Sequence, residues 1–232
     1  MDIHKPKPFH NMREFLKEYG IIVLGVLTAL GLEQAIESWH WREETAAARD
    51  ALRRDAADNL SAALTRSRQQ PCVDRRLKEI AAILSAHVSG KRIRTRGPVG
   101  RPGAYFGETD AWQVEVASGA LSHMPLNEKL TFGYAFGYYD HFNSVLGLEQ
   151  DAWQRLGVLD APDQLEAGDW PPLRQAYAQA QALNDRLKII TKDILTSQTL
   201  GQRPRGFNGP APTGAVSGMR RFCEPILPPQ NL

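Results

Sequence analysis

Hydrophobic positions along the chain follow two regimes. Between residues 19 and 32 the run YGIIVLGVLTALGL holds fourteen residues without a charge, apolar on every face of a helix rather than along one stripe. Beyond it, apolar residues recur at three- and four-residue steps, the period of amphipathic helices. No Gly or Pro stands between Leu32 and Gln70. The pattern therefore predicts that the apolar helix runs on into a long helix whose core-facing stripe is Leu52, Ala56, Leu60 and Ala63. Pro71 is expected to end it. A second helix should follow, with Val73, Leu77, Ile80, Leu84 and Val88 on one face and Gly90 as its stop.

Thr109 is placed to cap a short helix that contains Trp112 and Val116 and ends at Gly119. After Pro125 and Asn127 comes a long aromatic helix, with Ala135, Tyr138, Phe142, Val145 and Leu156 toward the core and Trp153 nearby. Gly133, Gly137 and Gly147 weaken that helix but permit close packing. Residues 162–172 read as a connector. The clearest helix is the last, where Leu173, Ala176, Ala180, Leu183, Leu187, Ile190 and Ile194 step at three and four; Pro172 suits its first turn and Gly201 its end. No segment alternates as a strand would. Four sizeable helices give an all-α fold class: an N-terminal transmembrane helix continuing into a long helix, then an antiparallel helical bundle with an irregular C-terminal tail. The boundaries expected are 1–18 for a short cytoplasmic segment, 19–39 for the transmembrane helix, 40–200 for the bundle and 201–232 for a Pro/Gly-rich tail.

A full span needs about 20 apolar residues, or ~30 Å. Continuing from Tyr19 to Ile36 gives eighteen and admits Glu33 and Gln34, while Phe15 and Tyr19 before the run and Trp39 and Trp41 after it supply interfacial aromatics. A cleaved signal peptide is opposed by the position of Ala29 and Gly31, the small residues that could mimic a cleavage site, inside the apolar run. A buried core helix is opposed by the all-round apolarity. Lys5, Lys7, Arg13 and Lys17 precede the span, whereas Arg42 and Arg49 follow it among Glu37, Glu43, Glu44 and Asp50. That asymmetry places the N-terminus in the cytoplasm and the bundle outside it.

Glu33 and Glu37 share a face one turn apart near the far boundary; they either snorkel to headgroups or make functional contacts within the membrane. Gly20, Thr28, Gly31 and Ala35 fall within about 80° of one another at 100° per residue, a stripe of small residues on which a second helix could pack.

Composition narrows the function classes. Basic residues number 28 against 26 acidic ones, so no global field recruits nucleic acid. The stretch KRIRTRGPVGRPG at 91–103 is locally basic, but its Gly and Pro favour a solvated loop over a surface for anionic lipid, polysaccharide or nucleic acid. The two cysteines, Cys72 and Cys223, are too few for a disulfide scaffold and too far apart for a zinc cluster. They leave two readings open: a bridge closing a loop of about 150 residues in an oxidising compartment, or two independent thiols.

No catalytic, cofactor-binding or metal-ligating set stands out. Ser89, Gly90 and Lys91 lack the first glycine and the hydroxyl of a phosphate-binding loop. The GAVSG run at 214–218 puts its serine one position late for a nucleophile elbow. HExxH is absent, and His123 and His141 read as surface or core-edge residues.

The run EYGIIVLGVLTALGLEQAIESWHWREE resembles the N-terminal anchor of uncharacterised single-pass bacterial membrane proteins, a domain-of-unknown-function class. The stretch AWQVEVASGALSHMP at 111–125 is similar to theirs too, with Trp, then Ser-Gly, Leu and Pro before another helix. The resemblance implies a single-pass protein of the bacterial envelope, in the inner membrane with its bundle in the periplasm. It carries no catalytic residues. The function expected is therefore a membrane-tethered interaction or assembly protein, not an enzyme. Its partners would be the lipid bilayer and other membrane proteins or further copies of itself, with no nucleic acid and no cofactor. An extracytoplasmic ligand-sensing bundle is the alternative, and it would act through a partner, since the residues before the span are too few to fold as an output domain. An enzyme with an unrecognised site is the more distant one.

Overall fold

The computed structural model describes residues 12–91, 94–196 and 220–228. Its long elements are three helices, α1 (Met12–Val88), α3 (Leu126–Leu156) and α4 (Trp170–Thr196), with a short α2 (Asp110–Ser118) between the first two. Single 3₁₀ turns occupy Ala120–His123, Gly157–Asp160 and Pro162–Gln164, and no strand occurs among the described residues.

Pro71 does not end α1, which continues 77 residues from Met12 to Val88 with the proline inside it. The buried stripe explains why. Ala63, Arg66, Gln69, Val73, Arg76 and Ile80 are all buried and keep their three- and four-residue steps straight through position 71. Pro71 itself is exposed. Proline removes one backbone hydrogen bond and crowds the carbonyl four residues earlier. Here that carbonyl belongs to exposed Ser67, where water can satisfy it. Packing on both sides outweighs the local penalty, so the four sizeable helices expected are three.

Ion pairs between Arg49 and Glu128 and between Arg66 and Glu149 set α3 parallel to α1. Antiparallel to both runs α4: Leu187, Ile190 and Ile194 share a core with Ala48 and Leu52, while Leu173 and Ala176 share one with Val73 and Leu77. The stretch between α1 and α3 must therefore climb back along α1. Its contacts with α1 march backward, Val99 on Arg76, Glu108 on Asn59, Ala111 on Asp55 and His123 on Trp41.

Several side chains hold this return segment, so the basic loop is not a freely solvated one. Asn143 accepts the Gly107 N–H at 3.1 Å and donates to the Gly107 carbonyl at 2.9 Å, as a paired strand would. Gln150 donates to the Pro102 carbonyl, and Val99 is fully buried. Gly107 has to be glycine, because a Cβ there would collide with Asn59, including its Cα at 2.8 Å. Thr109 makes no side-chain cap on α2. Asp55 of α1 takes that role by accepting the Ala111 N–H at 2.9 Å. Gly119 closes α2 in the left-handed region at φ 81°.

Two further positions differ from the periodic reading. Val88 and Tyr138 are exposed, and Tyr139 takes the buried place on α3. Of the α3 glycines, only Gly133 has a close neighbour, the Trp112 ring. Gly201 lies outside the described residues.

The core forms two apolar clusters, one around Leu52, Phe136, Phe142 and Ile190, the other around Val73, Ile80, Trp153 and Leu173. Between them sits a polar layer. Arg66 and Glu149, with side chains 2% and 0% exposed, pair through two bonds of 2.7 and 3.3 Å, and Arg66 also donates to Asn184 and Gln70. Each charge has lost its water, so the pair holds only because both partners and their remaining hydrogen bonds are present.

Replacing Pro71 with Ala tests the continuity of α1. With the stripe intact on both sides, Pro71→Ala is expected to raise bundle stability by about 1–3 kcal/mol in urea unfolding. A loss of stability would mean that the proline terminates or kinks the helix to some structural end.

Candidate functional site

The chemistry-bearing features separate along α1. At one end, residues 12–44 project beyond the bundle for about 50 Å at ~1.5 Å per residue. All of them are exposed except Val23 and Trp41, which are half-buried, and the first buried position is Thr45. Ile21, Ile22, Leu24, Val26, Leu27, Leu30, Leu32 and Ile36 are each more than half exposed. An 18-residue window of this helix reaches a mean hydropathy of 1.7, and none of it is buried by the protein. The helix is thus long and apolar enough to cross a membrane.

Gly20, Thr28, Gly31, Ala35, Glu33 and Glu37 all lie on this projecting part and are exposed. Nothing stands within 4 Å of a Cβ placed on Gly20 or Gly31. Thr28 bonds its own helix, donating to the carbonyls of Leu24 and Gly25 at 2.9 Å. Among the described residues, the chain brings no partner to this stripe. Where the helix meets the bundle, the His123 ring stacks on Trp41 with centroids 3.7 Å apart. Beside them Gln34, Glu37, Ser38, Arg42 and Thr45 border a shallow cavity of about 480 Å³. His141 lies elsewhere, its Nε2 3.1 Å from Arg186 Nη2.

At the far end, residues 220–228, inside the region expected to be an irregular Pro/Gly-rich tail, dock on α1. Cys72 and Cys223 are joined in a disulfide with Cα atoms 4.8 Å apart. Phe222, Ile226 and Leu227 enter the second apolar cluster, Phe222 edge-on to Trp153. The polar centre of this docking is Arg76 with Glu79, 1% and 0% exposed. All five Arg76 donors are used, to Glu79 Oε2 at 2.9 Å and to the carbonyls of Pro98, Val99, Phe222 and Glu224. Glu79 Oε1 in turn accepts the N–H groups of Ile226 and Leu227 at 2.8 and 3.2 Å. Burial pushes the Arg76 guanidinium down from its ordinary value, against the pull of Glu79.

One pair of side chains thus ties helix, return loop and C-terminal segment together. The sequence shows Arg76 and Glu79 as an ordinary i,i+3 pair, a pattern that usually lies on a helix surface. The clue to the burial of Arg76 is its place in the stripe Val73, Arg76, Ile80.

Next to the clamp a groove of about 880 Å³ is lined by Pro71, Asp74, Arg75, Lys78, Ala82, Arg96, Pro225 and Leu227. Asp74 Oδ1 is held by Lys188 at 2.9 Å, Gln70 at 2.9 Å and Asn184 at 3.1 Å. Burial raises the Asp74 carboxyl, but these bonds outweigh it and keep the group below the ordinary carboxylate value. The Asp74 hydrogen bond lifts the Lys188 ammonium above its ordinary value. Among the described residues no three of His, Cys, Asp and Glu gather as a metal site. No family model, curated protein or solved structure matches the chain.

Breaking the clamp by Arg76→Met should cost about 3–5 kcal/mol, because it leaves Glu79 buried without its counter-charge. Urea unfolding followed by the fluorescence of Trp153, which is buried against Phe222, measures this. A loss below about 1 kcal/mol would show that the disulfide and apolar docking hold the segment without the ion pair.

Proposed function

We propose that the chain is a single-pass membrane protein of the bacterial envelope, with its N-terminus in the cytoplasm and its bundle in the periplasm, serving interaction or assembly without catalysis. The observation that carries this reading is the projecting half of α1. Leaving eight large aliphatic side chains in water would cost on the order of 10 kcal/mol relative to burying them, and a bilayer removes that cost. The aromatic residues Tyr19, Trp39 and Trp41 flank the run where headgroups would lie. The Cys72–Cys223 bridge supports an oxidising compartment for the bundle, in agreement with the charge asymmetry. The stripe of Gly20, Thr28, Gly31 and Ala35, without a partner among the described residues, suits a second membrane helix, from another protein or a second copy.

A ligand-sensing bundle that acts through a membrane partner is the second reading, favoured by the groove beside the tail. It shares the topology and differs in what the bundle recognises.

The protein should stay with the membrane through a carbonate wash and keep its N-terminus. An export-dependent reporter fused after Leu232 should be active. Release into the wash would defeat the tether, and activity of a cytoplasm-dependent reporter would reverse the topology. Native complexes drawn out in mild detergent should contain a second membrane protein or a second copy of the chain. A lone monomer would count against the assembly role.

A further inference from the structure

We propose that the groove beside the docked C-terminal segment is a binding site for a small organic polyanion with an apolar body. Its volume, about 880 Å³, falls within the range of small-molecule sites, ~300–1,000 Å³. The site does not depend on the membrane assignment, because no lining residue lies on the projecting part of α1.

Three cations face this space from two segments, Arg75 and Lys78 from α1 and Arg96 from the return loop. One carboxylate also faces it, but Asp74 is matched by Lys188 and held by Gln70 and Asn184. It is thereby committed to the bundle rather than to the three cations. Arg75 donates one hydrogen bond, at 2.8 Å, to the Cys223 carbonyl, and it has no carboxylate partner among the described residues. Lys78 and Arg96 have no side-chain hydrogen bond or ion pair among the described residues. Like charges gathered around one space repel, and an anion placed among them relieves that repulsion.

Two of the three cations are tied to the docked segment. The Arg96 N–H donates to the Ile226 carbonyl at 2.9 Å, fixing the loop to the docked segment. Arg75 follows Asp74 on α1 and leans on the carbonyl of the bridged Cys223. The disulfide and the Arg76–Glu79 clamp therefore build the wall as well as hold the segment.

Charge is only part of the recognition. Pro71, Ala82, Pro225 and Leu227 line the same space, and the methylene stems of Lys78 and the arginines extend the apolar surface. A bare inorganic anion would satisfy the cations and leave this surface wet. A compact molecule with two or three carboxylates or phosphates on a hydrocarbon or aromatic body meets both demands.

Benzene-1,3,5-tricarboxylate is a suitable probe, titrated calorimetrically into the full chain in lipid nanodiscs. One saturable site is expected, weakened by raised salt. Lys78→Gln with Arg96→Gln should lower affinity at least about tenfold. Both side chains are exposed and have no partner among the described residues, so the fold should survive. Arg54→Gln, an exposed cation on α1 about five turns before Pro71, should leave binding unchanged. The neutral tricarboxamide should not bind, and pyrophosphate should bind more weakly than the tricarboxylate. The proposal is overturned by heat no greater than that of empty nanodiscs, by equal affinity in the double variant, or by pyrophosphate binding as tightly as the aromatic anion.

Discussion

The structure depends on the continuity of α1. A single helix carries the unpartnered apolar segment at one end and the seam of the bundle at the other, with no flexible joint among its described residues. That continuity requires the buried stripe to stay in phase across Pro71, which it does, from Arg66 and Gln69 to Val73 and Arg76. A shift of one residue would turn Arg66 away from Glu149 and Arg76 away from the loop it holds. The same helix thus sets where the bundle sits relative to any bilayer. The Trp41–His123 stack lies at the apolar end, and the clamp, disulfide and basic groove lie at the other.

The bundle answers its second constraint, parallel α1 and α3, with polar side chains. A connection that must run the length of α1 has many backbone groups and little regular structure, and buried backbone groups need partners. Asn59, Asp55, Arg76, Asn143 and Gln150 supply them one after another. All five sit on buried or half-buried helix faces where an apolar residue would have packed. The bundle thereby gives up apolar contact for a fixed loop. That loop then brings Arg96 to the groove.

The all-α fold, the helix periods and the projecting apolar run were legible in the sequence because each depends on local pattern. Leu173 to Ile194 step at the helical period, and the last helix follows them. Pro71 misled because its cost is local while the gain that overrides it comes from residues on α3 and α4. Thr109 misled for the related reason that Asp55, distant in sequence, occupies the capping role. Arg76 and Glu79 look like a surface pair until residues 220–228 arrive from across the bundle. The groove was not legible either, since its walls come from three separated segments. The stretch KRIRTRGPVGRPG did announce the charge, and only the fold shows that Arg96 is held rather than loose.

The central claim is that residues near the middle of the projecting helix lie in hydrocarbon while the bundle lies in water. Spin labels placed singly at Leu27 on the projecting segment and at Asp193 on the exposed face of α4, in the chain reconstituted into vesicles, test it most directly. Collision with oxygen, which concentrates in hydrocarbon, and with a water-soluble nickel chelate reports the surroundings of each label. The label at residue 27 should meet oxygen and exclude the chelate, and the label at residue 193 should do the reverse. Free access of the chelate to residue 27 would contradict the membrane-spanning account.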